Sequence, residues 1–102
     1  MLHYLYVGLI VLWIATPANA QCAIVYEYRV CGFANSGDYA YQKNNSTTQR
    51  YRITSEMRKN GDHFRNDVNN VDAGDRAIVG CTRDGSTNNY TFAITGCVPL
   101  SN

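Results

Sequence analysis

The stretch CAIVYEYRVC, residues 22–31, decides how the rest of the chain is organised. Its apolar and aromatic side chains occupy alternate positions: Ile24, Tyr26, Tyr28 and Val30. Successive side chains point to opposite faces of a β-strand, so this alternation predicts a strand with one apolar and one polar face. We expect these tyrosines, like Tyr90 and Phe92 later in the chain, to lie in the core rather than to form a surface for stacking bases.

The predicted strand carries one cysteine at each end, Cys22 and Cys31. A straight strand advances roughly 3.3 Å per residue, which puts them about 30 Å apart. A disulfide needs Cα atoms within roughly 4.4–6.8 Å, so these two can pair only if the strand folds back. Each is therefore expected to bond to Cys81 or Cys97. We favour Cys22–Cys97 and Cys31–Cys81, because the first pair also ties together the two ends of the chain.

Residues 1–20 have the pattern of a secretory signal peptide, in which an apolar run, Val7–Ala15, precedes the A-x-A pattern Ala18-Asn19-Ala20. The alternative is a membrane anchor, which needs about 20 apolar residues, more than this run contains. Cleavage after Ala20 leaves residues 21–102 as a single secreted domain with no membrane segment.

Four cysteines suit an exported domain of this size. Chains below roughly 70–80 residues build cores worth only about 3–5 kcal/mol, and disulfides commonly add the missing stability. Metal binding is the competing use of four cysteines. It is disfavoured because the chain has no C-x-x-C and His63 is the only histidine after the predicted signal peptide. We therefore expect disulfides, no metal and no cofactor.

The charged residues all follow the predicted signal peptide and sum to a net charge of +1. This balance excludes a generally basic nucleic-acid-binding protein and a strongly cationic membrane-active peptide. Positive charge is concentrated between Lys43 and Lys59, and we interpret it as the solvated face of a helix rather than as a phosphate-binding patch.

The stretch from Ser46 to Gly61 predicts the main helix. Its first four residues, S-T-T-Q, match a capping box, and Asn60-Gly61 matches a helix stop. Ile53 and Met57 lie between them at i and i+4. The alternative is a strand through residues 50–53.

A second, short helix is predicted over residues 62–71 from the i, i+4 and i+7 spacing of Phe64, Val68 and Val71. Strands are predicted elsewhere. Residues 32–37 have turn composition and lead to a short returning strand over residues 38–42.

Residues 76–82 and 90–98 are rich in β-branched and aromatic side chains and flank the turn-rich loop 83–89, which predicts a hairpin. These elements together predict an α+β domain, an antiparallel sheet with one main helix packed on it.

Three N-x-[ST] sequons follow the signal peptide, at Asn44, Asn45 and Asn89. In an exported chain each is a candidate for N-glycosylation where it is exposed. The two sequons at Asn44 and Asn45 overlap.

Catalytic motifs are scarce in this sequence. Ser-His-Asp chemistry would have to use His63, and no G-x-S-x-G, phosphate-binding loop or dinucleotide fingerprint is present. We predict that the protein is not an enzyme and has no catalytic residues.

Four short segments are similar to those of a known family. DAGDRAIV (72–79) resembles a G-x-D-R-V-V-F strand, AITGC (93–97) the final strand and closing cysteine, DHFRN (62–66) a Y-P-H-x-Y-N segment, and YRVC (28–31) a Y-x-C signature with one residue more. The chain thus resembles the RNase-like secreted effectors of powdery mildew fungi, which are related in fold to guanyl-specific fungal ribonucleases. The resemblance implies a ribonuclease-like α+β scaffold in which Arg76 occupies the position of a phosphate-contacting arginine.

The departures from that family concern catalysis. Its ribonucleases use a glutamate base and a second histidine in an I-T-H-T-G strand, whereas Ile94-Thr95-Gly96 here contains no histidine. The resemblance therefore implies a non-catalytic, monomeric effector that is secreted and binds a host protein, either outside cells or after delivery into host cells. Arg76 and His63 are its candidate contacts with a partner or, weakly, with RNA. The alternatives are a small secreted killer-toxin-like protein and an active secreted ribonuclease.

Overall fold

The computed structural model describes residues 21–28, 31 and 37–101. Six strands make up most of them: β1 (Cys22–Glu27), β2 (Tyr39–Asn44), β3 (Tyr51–Lys59), β4 (Asp62–Val71), β5 (Arg76–Cys81) and β6 (Tyr90–Pro99). The predicted signal peptide and residues 32–36 of the predicted turn lie outside the described residues. Within the described part, no helix is long and apolar enough to cross a membrane.

The strands form two three-stranded antiparallel sheets, ordered β1-β2-β5 and β4-β3-β6. The strand predicted over residues 22–31 is present from Cys22 to Glu27 as β1, and residues 29–30 of the prediction lie outside the described residues. The predicted returning strand is present as β2, and β1 and β2 pair along their full length. The expectation of an α+β domain is wrong, because the described residues contain no α-helix and the two sheets pack against each other as a sandwich.

The two predicted helices are the strands β3 and β4. Asn60 and Gly61 have φ angles of 52° and 91°, and the flanking Lys59 and Asp62 face each other across the strands. Positive φ at both central residues is the conformation of a two-residue hairpin turn, for which Asn-Gly is the preferred sequence. The dipeptide therefore reverses an extended chain instead of ending a helix.

The interior face of β3 shows why the helical spacing was misleading. Tyr51, Ile53, Ser55 and Met57 are all buried. Two buried residues four positions apart fit a strand as well as a helix, because four is a multiple of the strand period of two. The predicted capping bond does form, since Gln49 N donates to Ser46 Oγ at 2.9 Å, but the chain becomes extended immediately afterwards.

The core lies between the sheets in two clusters that draw residues from both. One contains Cys22, Tyr51, Ile53 and Val71, and the other Ala40, Met57, Val79 and Phe92. Between them, the fully buried Gln42 of β2 donates to Ser55 Oγ at 2.9 Å and to the Asp67 carbonyl at 3.1 Å. Its side-chain oxygen accepts a hydrogen bond from Asn69 Nδ2 at 3.0 Å. This polar group therefore joins β2 to both β3 and β4.

Two disulfides hold the sandwich, Cys22–Cys97 and Cys31–Cys81, with Cα separations of 6.0 and 6.1 Å. They are the two pairs favoured from the sequence, which excluded Cys22–Cys31 by strand geometry and preferred the pair that ties together the chain ends. Cys22–Cys97 connects β1 with β6 and so links the two sheets, whereas Cys31–Cys81 ties the segment after β1 to the end of β5 in the same sheet.

The C-terminal strands do not form the predicted hairpin. β5 pairs with β2, and β6 pairs with β3 in the other sheet. The loop between them therefore crosses from one sheet to the other, and an isolated bridge between Arg83 and Asn89 closes its base. Both strands were predicted correctly, but their pairing was wrong because each pairs with a strand of a different sheet.

Candidate functional site

Arg76, the candidate phosphate contact, begins β5 on the outer face of its sheet, because the following Ala77 packs against the core. Its Nη1 lies 2.7 Å from Glu27 Oε2, and its guanidinium carbon lies 4.0 Å from the centre of the Tyr41 ring. The charge of Arg76 is thus paired with Glu27 and supported by a cation–π contact. Phosphate would have to compete with both.

An open pocket of about 440 Å³ adjoins this arginine. Its lining residues are Val25, Lys43, Asn45, Gly74, Asp75 and Arg76. The Lys43 ammonium donates to the Gly74 carbonyl, so both cations of the pocket already have protein acceptors. Because Asp75 adds a negative charge, the pocket offers no concentrated positive field for an anion.

His63 lies on the other sheet in a cluster of charged side chains. Its Nδ1 lies 2.8 Å from Glu56 Oε2, and Arg58 Nε donates to Glu56 Oε1 at 2.8 Å. The hydrogen bond from the Arg58 guanidinium is the largest cause that lowers the pKa of the Glu56 carboxyl, and the contact with His63 is the second. Glu56 in turn raises the pKa of Arg58. This cluster lies on the outer face of its sheet, since the alternate β3 residues Ser55 and Met57 face inward.

The two predicted contact residues are therefore not parts of one site. Arg76 and His63 lie on opposite outer faces of the sandwich, so each stays a separate candidate contact with a partner or with RNA. Sequence reasoning also missed Glu56 as a neighbour of His63. The signal was Asn60-Gly61, because a hairpin turn there folds β4 back so that His63 faces Arg58.

The loop between β5 and β6 is organised by Asp84. Its carboxylate accepts hydrogen bonds from Ser86 Oγ at 2.6 Å, Asn88 Nδ2 at 3.0 Å and the Tyr90 hydroxyl at 2.8 Å. These donors lower the pKa of Asp84, with Ser86 the largest cause, and the pKa of Tyr90 is raised by the same contact. The carboxylate is therefore satisfied within its own loop, which fixes the position of Tyr90.

Aromatic rings gather at one end of the sandwich, a group that we call the aromatic end: Tyr26, Phe64, Tyr90 and Phe92. Tyr26 meets Phe92 edge-on with centroids 6.5 Å apart, and Phe64 meets Tyr90 in the same way at 5.7 Å. Tyr26 is 50% exposed, Phe64 47%, and the nearby Tyr28 87%. The expectation that Tyr26 and Tyr28 lie in the core is wrong, because β1 is an edge strand and ends beside them.

No family model, curated protein or solved structure matches the chain. The resemblance to powdery mildew effectors rests on the four segments given above and stays a prediction. The main helix that it implied is absent from the described residues.

Proposed function

We propose that the protein is secreted and acts by binding a partner protein of a host, without catalysing a reaction. The observation that carries this proposal is the aromatic end, where two rings of a packed aromatic cluster remain about half exposed. Aromatic residues and arginine are enriched at the centres of protein interfaces and supply most hot spots there. The two disulfides support the secreted location, because such bonds persist in oxidising compartments.

Cations frame the exposed ring of Phe64. Lys59 Nζ and the guanidinium carbon of Arg65 each lie 5.9 Å from its centroid. Arg65 is also held in place, because it pairs with Asp67 and donates to the Val79 carbonyl. A rigid aromatic surface beside the Lys59 ammonium suits a protein partner that presents an apolar side chain and a carboxylate.

We expect Phe64→Ala to weaken binding of the partner by about thirtyfold, equivalent to the roughly 2 kcal/mol of an interface hot spot. The partner is first captured with immobilised protein from host extracellular fluid, then purified and titrated against each variant by calorimetry. Val68→Ala is the matched control, since Val68 is 57% exposed on the same strand but away from the aromatic end. Equal affinities of the wild type and the Phe64 variant would refute this surface.

A second candidate function is RNA cleavage, which the Glu56–His63 pair favours as a carboxylate and an imidazole in contact. Cleavage needs one group to remove the 2′-hydroxyl proton and another to protonate the leaving oxygen. Here the two groups bond to each other, and the lowered pKa of Glu56 makes its carboxylate a weaker base. Their cluster also lies outside the pocket described above.

We therefore expect no RNA cleavage, measured by incubating purified protein with a fluorescent RNA at neutral pH. Turnover that is lost in both His63→Ala and Glu56→Gln, and kept in Arg76→Ala on the opposite face, would make ribonuclease the leading function. Any RNA binding is expected to be weak and to disappear in moderate salt, because it would rest on few cations.

A further inference from the structure

We propose that Asn45, and not the adjacent Asn44, carries an N-linked glycan in the secreted protein. Asn44-Asn45-Ser46 and Asn45-Ser46-Thr47 are overlapping sequons, so the sequence alone offers both acceptors. The proposal rests on the secretion included in the proposed function. It does not depend on partner binding.

The folded structure leaves no room for a glycan on Asn44. It ends β2 with its side chain fully buried, and Nδ2 donates to the Gln49 carbonyl at 2.8 Å and to the Val71 carbonyl at 2.9 Å. Its Oδ1 accepts a hydrogen bond from Ser46 N at 2.9 Å. A sugar on Nδ2 would replace one of its two N–H donors and would have to occupy core volume, so a chain glycosylated at Asn44 cannot adopt this structure.

Asn45 has the opposite environment. Its backbone N–H donates to the Gln21 carbonyl at 2.7 Å, which fixes the main chain, while its side chain is exposed and makes no hydrogen bond to the described part of the chain. It lies on the rim of the pocket beside Lys43 and Arg76. A glycan there projects into solvent and over the mouth of that pocket.

The position also leaves the proposed partner surface open. β2 advances roughly 3.3 Å per residue, so Asn45 lies about 16 Å along the strand from Ala40, the residue that pairs with Tyr26. The glycan therefore shields the end of the sandwich remote from the aromatic end. It covers the pocket rather than the exposed rings.

The glycan is added before the chain folds, and folding then selects between chains modified at Asn44 and chains modified at Asn45. The amide nitrogen of asparagine attacks C1 of the first sugar of a lipid-pyrophosphate-linked oligosaccharide supplied by the secreting cell. The N–C1 bond forms, the bond from C1 to the pyrophosphate oxygen breaks, the lipid pyrophosphate leaves, and the amide loses one proton. Chains modified at Asn44 fail to fold and are retained, so the secreted product carries the glycan on Asn45.

The test uses the full chain secreted from yeast. Glycans are released with peptide N-glycosidase in heavy-oxygen water, which marks each former glycosylation site as labelled aspartate, and the protein is then digested with trypsin. Cleavage after Lys43 and Arg50 places both acceptors on one peptide, residues 44–50, and keeps Asn89 on another. Fragment ions then distinguish Asn44 from Asn45.

Two variants each remove one sequon. Ser46→Ala removes only the Asn44 sequon, and we expect the label to stay on Asn45. Thr47→Ala removes only the Asn45 sequon, and we expect secreted protein with no label on this peptide. The ratio of labelled to unlabelled peptide is read within each secreted sample, so a lower yield from the loss of Ser46 Oγ does not affect it. Label on Asn44 in any secreted sample, or an unlabelled wild-type peptide, would overturn the proposal.

Discussion

Replacing Cys22 and Cys97 together by alanine is expected to lower the free energy of unfolding by about 2–5 kcal/mol. The bond joins residues separated by 75 positions, and the chain-entropy model gives about 4.5 kcal/mol for a closed loop of that length. It also links the two sheets, which otherwise meet through a small core. Because a domain of this size has only about 3–5 kcal/mol from its core, we expect the variant to be partly unfolded at 37 °C.

Urea unfolding, followed by far-UV circular dichroism, measures the free energy of unfolding of the wild type and the variant. The matched control is the double alanine variant of Cys31 and Cys81, whose bond spans 50 positions within one sheet. Similar loop lengths predict similar entropic losses, so a larger loss in the Cys22–Cys97 variant would measure the contribution of linking the sheets. An unchanged urea midpoint without Cys22–Cys97 would mean that the core alone holds the fold.

The cysteine positions carried the most structural information in the sequence. The straight strand predicted from the alternation would hold Cys22 and Cys31 too far apart to bond, and that expectation left only bonds to the distant cysteines. The strands at both ends of the chain were also predictable, since β-branched and aromatic residues are concentrated there. Their distribution between two sheets was not, because a turn-rich loop of residues 83–89 can close a hairpin or cross between layers.

The middle of the chain was misread because its interior is partly polar. Ser55 lies in the core between Ile53 and Met57, so the alternation of apolar residues that marks a strand is interrupted there. Asn69 interrupts the apolar alternation of β4 in the same way, because it faces the interior and donates a hydrogen bond to Gln42. Polar residues in a sequence pattern are normally assigned to the solvent-exposed face, and the remaining apolar positions then fit a helix.

The charged cluster could have been found only in part. A hairpin turn at Asn60-Gly61 places His63 opposite Arg58, which sequence reasoning can reach. The contact between His63 and Glu56 depends in addition on the register shift of the strands between Met57 and Arg58. An irregularity of that kind leaves no composition signal, because it depends on how the bent strand packs.

The buried glutamine carries the second large effect, and we expect Gln42→Leu to lower the free energy of unfolding by about 2–4 kcal/mol. Leucine has a similar volume but makes none of the three hydrogen bonds of the glutamine amide. Ser55 Oγ loses its partner in a fully buried position, and the half-buried Asn69 Nδ2 and Asp67 carbonyl lose theirs as well. Each buried polar group left unpaired costs about 1–3 kcal/mol, and the apolar gain of leucine offsets part of that loss.

A double-mutant cycle separates lost hydrogen bonds from altered packing. Ser55→Ala removes the most deeply buried of the orphaned groups, so the Gln42→Leu, Ser55→Ala double variant should be more stable than the sum of the two single losses predicts, by about 1 kcal/mol or more. Urea unfolding of all four proteins measures this coupling. Additive losses would show that Gln42 and Ser55 act independently, and that side-chain packing rather than hydrogen bonding holds the two sheets together at this position.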